Sequence, residues 1–422
     1  MHYVIIGAGP AGVNAAEHLR KYDPVSKITM LVAEDVPPYS RMALPYYLVG
    51  NIKPEGTYLR KNNDHFDKLN IELKQGRANS VDTSKKSISL LGGDTLDYDK
   101  LLIATGATAT RPPIPGIDLD NVFNCWSLAD SHKIVQSTEP GSKVILMGAG
   151  FIGCIILEAL AARGVDLTVI EMENRMVSRM TNEVMGTMIK DWCESKGIKV
   201  LTSTKVSRID AGNGDALSVS TEDGQSLPAD VVICATGVRS NTAFLQGSGI
   251  EVDMGIVVDD FMQSSAPDVF AAGDVAQGRD LSTGDYYVQA IQPTAVEHGK
   301  LAASNMVFGK RTAHPGNLNM NVLDTVGLIS TSFGMWMGVD GGEEAEMSDV
   351  ENFKYLNLQF KDDVLVGASS LGMTQHVGVM RGLIQTGAHL GEWKDKLLEE
   401  PNRISEAYLA SAQAQHVAMV PA

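Results

Sequence analysis

One arrangement of apolar and polar positions occurs twice along this chain of 422 residues. In each copy, a short apolar run leads into a glycine-rich loop, a stretch with helical spacing follows, and a second β-rich run closes the unit. The predicted strands cover 2–6, 28–32, 143–147 and 167–170, and the predicted helices cover 11–21 and a stretch that ends at 163. Two such units predict an α/β fold with two nucleotide-binding sheets of parallel strands.

The last hundred residues follow a different pattern. A period of two over 355–360, a turn at 362–363 and a second apolar run indicate an antiparallel hairpin. Further along the chain, helices are predicted over 377–385 and 391–398, and 341–344 is predicted to be a loop. The proline-rich stretch 111–116 indicates a linker between the two nucleotide-binding units, and the chain is expected to cross back near 239–244.

The first glycine loop has the spacing that lets a backbone approach a pyrophosphate. Gly7 makes the tight turn, Gly9 leaves room for the ligand, and Gly12 lets the helix pack closely on the strand. The helix that follows offers unpaired N–H groups and a positive partial charge to an anion. Glu34 lies 22 residues after Gly12 at the end of the next strand, where a carboxylate can accept both ribose hydroxyls.

The second loop, 148–153, repeats this arrangement, with Glu171 following Gly153 by 18 residues. A carboxylate at Glu171 repels the 2′-phosphate of NADPH, so NADH is the predicted nucleotide. Arg175 and Arg179 lie nearby and leave a phosphate-binding alternative open, although a solvated helix face accounts for both. Two Rossmann-like domains in one chain imply two dinucleotides.

Net charge limits the partners. The chain has 35 Lys and Arg against 51 Asp and Glu, which gives −16 at pH 7. Binding to nucleic acid or to anionic lipid needs clustered basic residues, and the sequence has no such cluster. Small molecules remain, together with basic proteins.

The cysteines and the N-terminus bear on the location of the protein. The four cysteines, at 125, 154, 193 and 234, form no CxxC pair, so neither a dithiol motif nor a metal site is predicted. The N-terminus has no basic start and no cleavable apolar stretch, and the longest apolar run, 144–157, is too short to span a bilayer. The predicted location is the cytoplasm.

Three further segments, 98–107, 230–237 and 269–274, complete a resemblance that extends over essentially the whole chain. Together with the two loops, their order resembles the pyridine nucleotide–disulfide oxidoreductase family of FAD-dependent, NAD(P)H-using flavoproteins. The resemblance implies non-covalent FAD, NADH, and three domains. These are a discontinuous FAD-binding domain of 1–112 and 242–318, an NAD(H)-binding domain of 113–241, and an α+β C-terminal interface domain of 319–422.

The resemblance also implies the residues that contact each dinucleotide. For FAD they are Gly7, Gly9, Pro10, Ala11, Gly12, Glu34, Arg41, Ala78, Thr105, Gly106, Gly273, Asp274, Gln292, Pro293 and Thr294. For NADH they are Gly148, Gly150, Phe151, Ile152, Gly153, Glu171 and Gly237. Asp274 follows a buried strand and a glycine, where a carboxylate can accept the ribityl hydroxyls. The helix that begins at Gln292 points its positive end at the flavin pyrimidine.

Two positions depart from the family pattern. Met42, beside Arg41 near the flavin, stands where NADH oxidases and coenzyme A disulfide reductases carry a redox cysteine. Methionine forms no thiolate, so electrons are predicted to leave the flavin directly, and apolar packing is the expected role of Met42. Ile155, near the nicotinamide, replaces a glutamate that many members have.

The resemblance, with its departure at Met42, implies an FAD-dependent NADH:acceptor oxidoreductase without a redox cysteine. The acceptor stays open among an electron-transfer protein, a quinone and oxygen. One alternative is an NADH oxidase or coenzyme A disulfide reductase that uses another thiol, and a second is a flavin and NAD sensor without turnover. The chain is expected to be a homodimer or a monomer.

Overall fold

The structure is a computed structural model that describes residues 1–212, 214 and 216–419, with the side chains described as far as 412. The helices are α1 Pro10–Tyr22, α2 Leu44–Val49, α3 His65–Lys68, α4 Leu128–Ser137, α5 Phe151–Ala162, α6 Glu183–Ser195, α7 Gln292–Phe308, α8 Val377–Thr386, α9 Glu392–Glu399 and α10 Ile404–Met419. Short 3₁₀ turns lie at Arg41–Ala43, Pro54–Thr57, Ala243–Leu245 and Pro401–Arg403.

The strands of the first half are β1 His2–Ile6, β2 Lys27–Val32, β3 Ile71–Gln75, β4 Ala78–Asp82, β5 Ser87–Leu90, β6 Thr95–Asp97, β7 Lys100–Ile103, β8 Ala107–Ala109, β9 Val122–Asn124, β10 Lys143–Met147, β11 Asp166–Ile170, β12 Lys199–Leu201 and β13 Val206–Ala211. Those of the second half are β14 Leu217–Thr221, β15 Ser226–Ala229, β16 Val231–Cys234, β17 Val238–Ser240, β18 Ile256–Val257, β19 Val269–Ala271, β20 Ala276–Arg279, β21 Tyr286–Tyr287, β22 Met320–Thr325, β23 Leu328–Gly334, β24 Glu343–Asp349, β25 Lys354–Lys361 and β26 Val364–Leu371.

Two parallel sheets carry the two predicted units. The first has the strand order β19-β7-β1-β2-β3 and the second has β12-β11-β10-β16-β9, and within each sheet all neighbours run parallel. The central strands β1 and β10 are almost continuously apolar because both of their faces are buried. The α/β class predicted from the sequence is confirmed.

Smaller sheets lie between and within these units. The two chain crossings, β8 and β17, pair with each other as an antiparallel ribbon. One three-stranded sheet, β4-β5-β6, lies in the first unit, and another, β13-β14-β15, lies in the second. The domain limits themselves stay a prediction, although the first sheet takes its last strand, β19, from beyond the second unit.

The C-terminal sheet is antiparallel, with the order β22-β23-β26-β25-β24, and α8 packs against it. One local expectation was wrong. The loop expected over 341–344 ends at Gly342, because β24 already begins at Glu343. The hairpin predicted from 355–360 and the following turn is confirmed as β25 and β26, and every residue from Tyr355 to Phe360 is buried. One face packs on helices, and on the other Tyr355 accepts a 2.5 Å hydrogen bond from Asn182 of the second unit.

Within the described residues, no helix is long and apolar enough to cross a bilayer. Over the same part of the chain, no cluster of three or more His, Cys, Asp or Glu side chains could hold a metal ion.

Candidate functional site

A cavity of about 810 Å³ opens at the carboxyl ends of the strands of the first sheet. This is the edge where open parallel sheets bind nucleotides. Its wall combines loop 7–11, the end of β2, and the segments that follow β7 and β19. Residues 124–130 of the second unit complete the wall.

The three glycines of the first loop have three different surroundings. Gly7 has φ +112°, and a Cβ on it would lie 2.2 Å from the Ala104 oxygen. A Cβ on Gly12 would lie 2.0 Å from the Gly7 oxygen, so Gly12 packs the helix on the strand and does not line the cavity. A Cβ on Gly9 would meet nothing within 4 Å, which leaves its backbone open to a ligand in the cavity.

Close packing brings the N-termini of α1 and α7 to the same cavity. A Cβ on Gly299 would lie 2.3 Å from the Ala11 oxygen, so the two helices meet backbone to backbone at this glycine. Gly273 lies where the first turns of these helices meet, with Ala11 and Ala295 at 3.2 and 3.3 Å from its Cβ position. Two helix N-termini thus direct unpaired N–H groups and positive partial charge at one space.

Asp274 stands on the cavity wall, directly after Gly273. Burial raises the pKa of its carboxyl group, and the positive charge of Arg41 opposes that effect. An acceptor held in this position is suited to the hydroxyls of a sugar or polyol. Ala78, Thr105 and Gly106 also line the cavity.

Glu34 reaches the cavity with both carboxylate oxygens already oriented. The Tyr39 hydroxyl donates to Oε2 at 2.7 Å, and the Arg41 guanidinium donates to Oε1 at 3.1 Å. Burial raises the pKa of Tyr39 to about 12, so its hydroxyl keeps its proton and acts as a donor here. Because the Glu34 side chain is 41% exposed, its free lone pairs face the cavity.

Sequence reasoning missed the contribution of the second unit to this cavity. Asn124, Trp126, Ser127 and Asp130 all line it. The one sequence signal was the helix start: Ser127 and Asp130 form a capping box at α4, with the Ser127 hydroxyl accepting from the Asp130 N–H at 3.1 Å. That signal predicts a helix N-terminus but not which surface it faces.

The second glycine loop repeats the geometry of the first. Gly148 has φ +99°, a Cβ on Gly153 would lie 2.1 Å from the Gly148 oxygen, and a Cβ on Gly150 would meet nothing within 4 Å. Glu171 is only 8% exposed. Its Oε2 accepts the Ala149 N–H at 2.6 Å, and its Oε1 accepts the Glu173 N–H at 2.9 Å.

The remaining candidates for nucleotide binding surround this loop. Phe151, Ile152 and Ile155 lie in the first turns of α5, half-buried against the core of the second unit, and Gly237 is exposed after β16. Arg175 donates to the Thr181 and Ser178 oxygens and to Asn174, so it braces the loop that carries it.

Met42 lies in a second depression, and its expected apolar packing beside the flavin stays a prediction. The side chain is 50% exposed and lines a groove of about 850 Å³ along α7, together with Gln292 and Pro293. The Ser40 hydroxyl donates to Gln292 Oε1 at 2.5 Å, which ties the Met42 segment to the start of α7. Thr294, the third candidate on this helix, is buried.

All four cysteines are free and buried. Burial raises the pKa of Cys125 and Cys193 to about 12 and that of Cys234 to about 11, and it raises the pKa of Cys154 further. Thiolates are the reactive form, so these thiols are inert in the folded protein.

The cavity fits FAD by the chemistry of its wall. Gly9 leaves a backbone cradle at a helix N-terminus for a pyrophosphate, while Glu34 and Asp274 supply carboxylate acceptors for ribose and ribityl hydroxyls. A volume of about 810 Å³ lies in the range of cofactor sites.

Comparison with known proteins places the chain in a family. The model for "Pyridine nucleotide-disulphide oxidoreductase" matches residues 1–299. The chain is 30% identical over 402 residues to the NADH-dependent phenylglyoxylate dehydrogenase subunit epsilon of Aromatoleum evansii, covering 94% of this chain and 95% of that protein. It is 27% identical over 399 residues to the rubredoxin-NAD(+) reductase of Pseudomonas putida, covering 91% and 99%.

A solved structure agrees with these relatives. The NAD-dependent persulfide reductase from A. fulgidus aligns with a TM-score of 0.84 at 28% identity, over 94% of this chain and 78% of that one. The predicted family, fold class, enzyme class and cofactors are confirmed. The chain belongs to the pyridine nucleotide-disulphide oxidoreductase family, and it is an FAD-dependent oxidoreductase that uses NADH.

Proposed function

We propose that the chain passes electrons from NADH, through its bound FAD, directly to a one-electron redox protein. Bound FAD supplies the exchange between a two-electron hydride donor and a one-electron carrier. The chain supplies the cavity wall, the two helix N-termini and the carboxylates Glu34 and Asp274 that hold the cofactor.

The observation that carries this proposal is the position of Met42. It lies half-exposed at the start of α7, and among the described residues that line the cavity and the adjoining groove there is no cysteine. A relay from the flavin to a thiol of these lining residues therefore has no thiol to use. A relative that matches over 91% of this chain is named for a redox protein, rubredoxin.

A thiol or persulfide acceptor is the competing proposal, since the persulfide reductase shares this fold. Such an acceptor would have to react with the flavin without a thiolate of the chain, because all four cysteines are buried with raised pKa values. The net charge of −16 further favours a protein acceptor with a positive docking surface.

The test is an anaerobic acceptor screen in a stopped-flow instrument. The enzyme is reduced with one equivalent of NADH and mixed with oxidised rubredoxin, ferredoxin, cytochrome c, a quinone, a disulfide or oxygen. One of the redox proteins is expected to reoxidise the flavin at about 10 per second, a typical turnover. The rate should stay unchanged after the native protein is treated with iodoacetamide.

Fastest reoxidation by a disulfide, abolished by that alkylation, contradicts the proposal and establishes a thiol route. Fastest reoxidation by oxygen identifies an oxidase and also contradicts it. The cytoplasmic location and the choice between homodimer and monomer stay predictions, and analytical ultracentrifugation of the FAD-bound protein decides the second.

A further inference from the structure

Two side chains of the first unit hold a segment of the second unit across the cavity. The segment is 126–130. Tyr39 and Arg41 each form one hydrogen bond to this segment and one to Glu34, so they link the two. The resulting contacts join residues that are more than 80 positions apart in the chain.

The first link runs through the guanidinium of Arg41. Its Nε donates to the Trp126 carbonyl at 3.0 Å, while Nη2 donates to Glu34. The same guanidinium lies 5.3 Å from the Trp126 ring and 5.9 Å from the Tyr39 ring, so it stacks between two aromatic faces.

The second link runs through the hydroxyl of Tyr39. It accepts the Leu128 N–H at 3.2 Å and donates to Glu34. The first turn of α4 is thus bound to the carboxylate that we expect to hold the adenosine ribose. The Leu128 side chain is buried beside Tyr39, which adds apolar contact to this link.

Trp126 is fixed from its other sides as well. Its indole Nε1 donates to the Ala107 oxygen at 2.8 Å, and its backbone N–H donates to Asp130 at 3.2 Å. An aromatic side chain held in this way forms a rigid part of the cavity wall.

We propose that Tyr39, Arg41 and Trp126 form a clamp through which the NAD(H)-binding unit retains FAD in the cavity of the other unit. FAD leaves only when the contact between the two units opens. The clamp concerns retention of the cofactor and does not depend on which acceptor receives the electrons.

The test measures the release of FAD from the holoprotein. Release is followed by the rise of free FAD fluorescence after dilution into buffer without the cofactor. Trp126→Ala removes the ring from the stack, and Tyr39→Phe removes the hydroxyl that joins Leu128 to Glu34. Each is expected to speed release by about tenfold, the scale of one desolvated stacking or hydrogen-bonding interaction. Trp126→Phe keeps a ring over Arg41 and should stay within about threefold of the wild type.

The matched control is Trp393→Ala, which removes a similar stack with Arg403, at 5.4 Å, from the C-terminal domain. It should leave FAD release unchanged. Hydrogen exchange adds a second readout: the Leu128 amide should gain protection on FAD binding in the wild type and lose that gain in Tyr39→Phe.

Two results overturn the clamp. One is an equal release rate in the wild type, Trp126→Ala and Tyr39→Phe. The other is equal acceleration by Trp126→Ala and Trp393→Ala, since general loss of stability then explains the change. Neither result bears on the acceptor screen, so failure of the clamp and failure of the proposed acceptor are distinguishable.

Discussion

An alanine at Gly299 places a methyl group where α1 and α7 touch. The added Cβ would lie 2.3 Å from the Ala11 oxygen and 3.0 Å from the Ala11 carbonyl carbon. Both are backbone atoms, so no flexible side chain can move aside. Gly299→Ala therefore tests whether the close approach of these helices builds the FAD cavity.

The magnitude follows from two opposing effects. Alanine in a helix interior is favoured over glycine by about 1 kcal/mol. To restore van der Waals contact, the helices must separate by about 1 Å, and overpacking of this kind costs about 1–3 kcal/mol or more in a rigid interior. Because the obstacle is backbone, we expect a net loss of about 2 kcal/mol. Movement of the α1 N-terminus should weaken FAD binding by about tenfold.

The assay compares urea unfolding of the FAD-free protein with FAD affinity measured by fluorescence quenching. The matched control is Gly378→Ala in α8, where an added Cβ meets nothing within 4 Å. That variant should be stabilised by about 0.5 kcal/mol and should bind FAD normally. Gly299→Ala with the stability and FAD affinity of Gly378→Ala would refute the packing argument.

Three further variants separate the roles of the site residues. Gly9→Ala should fold with unchanged stability, because its Cβ meets no protein atom within 4 Å, yet titration should show FAD affinity lowered by about tenfold or more, since the methyl group enters the cradle. Glu171→Gln should raise the KM for NADH by about tenfold, while the rate of flavin reduction at saturating NADH stays the same. An unchanged KM contradicts this prediction. The control is the FAD content of the purified variant, which should equal that of the wild type. In the FAD-free protein, burial raises the pKa of Asp274, so the folded state holds this proton more tightly than the unfolded chain does. The stability that follows is present below the pKa of the unfolded chain and is lost as pH rises through the pKa of the folded protein. Asp274→Asn should therefore raise the melting temperature of the FAD-free protein at pH 7, and this gain should shrink as pH falls through the raised pKa of Asp274. The variant should also weaken FAD binding. A gain that persists at low pH contradicts the assignment.

The glycine loops could be predicted because their constraints are local. Gly7 and Gly148 have positive φ, and Gly12 and Gly153 lie against a backbone oxygen of their own loop. Only glycine satisfies such constraints, so the sequence displays them directly. The spacing also predicts which glycine is open to a ligand.

The cavity wall formed by Trp126 could not be predicted in the same way. Its position depends on contacts with Arg41 and Ala107, far away in the sequence, and no local pattern encodes them. The alternation over 355–360 predicts the hairpin correctly but not the burial of both of its faces. A neighbouring unit covers one face, where Tyr355 meets Asn182, and no local pattern encodes that contact.

The acidic residue after the second strand differs between the two units in a way that suits the two nucleotides we expect there. Glu34 is held by side chains, Tyr39 and Arg41, and keeps 41% of its side chain exposed. Glu171 is turned onto its own loop, where each oxygen accepts one backbone N–H, and it is only 8% exposed. Each oxygen of both carboxylates keeps a free lone pair, but Glu34 is far more exposed than Glu171, so we expect a ribose to bind Glu34 more strongly. Weaker binding at the second loop suits NADH, which must leave in every turnover, and an oriented carboxylate at the first suits FAD, which must stay.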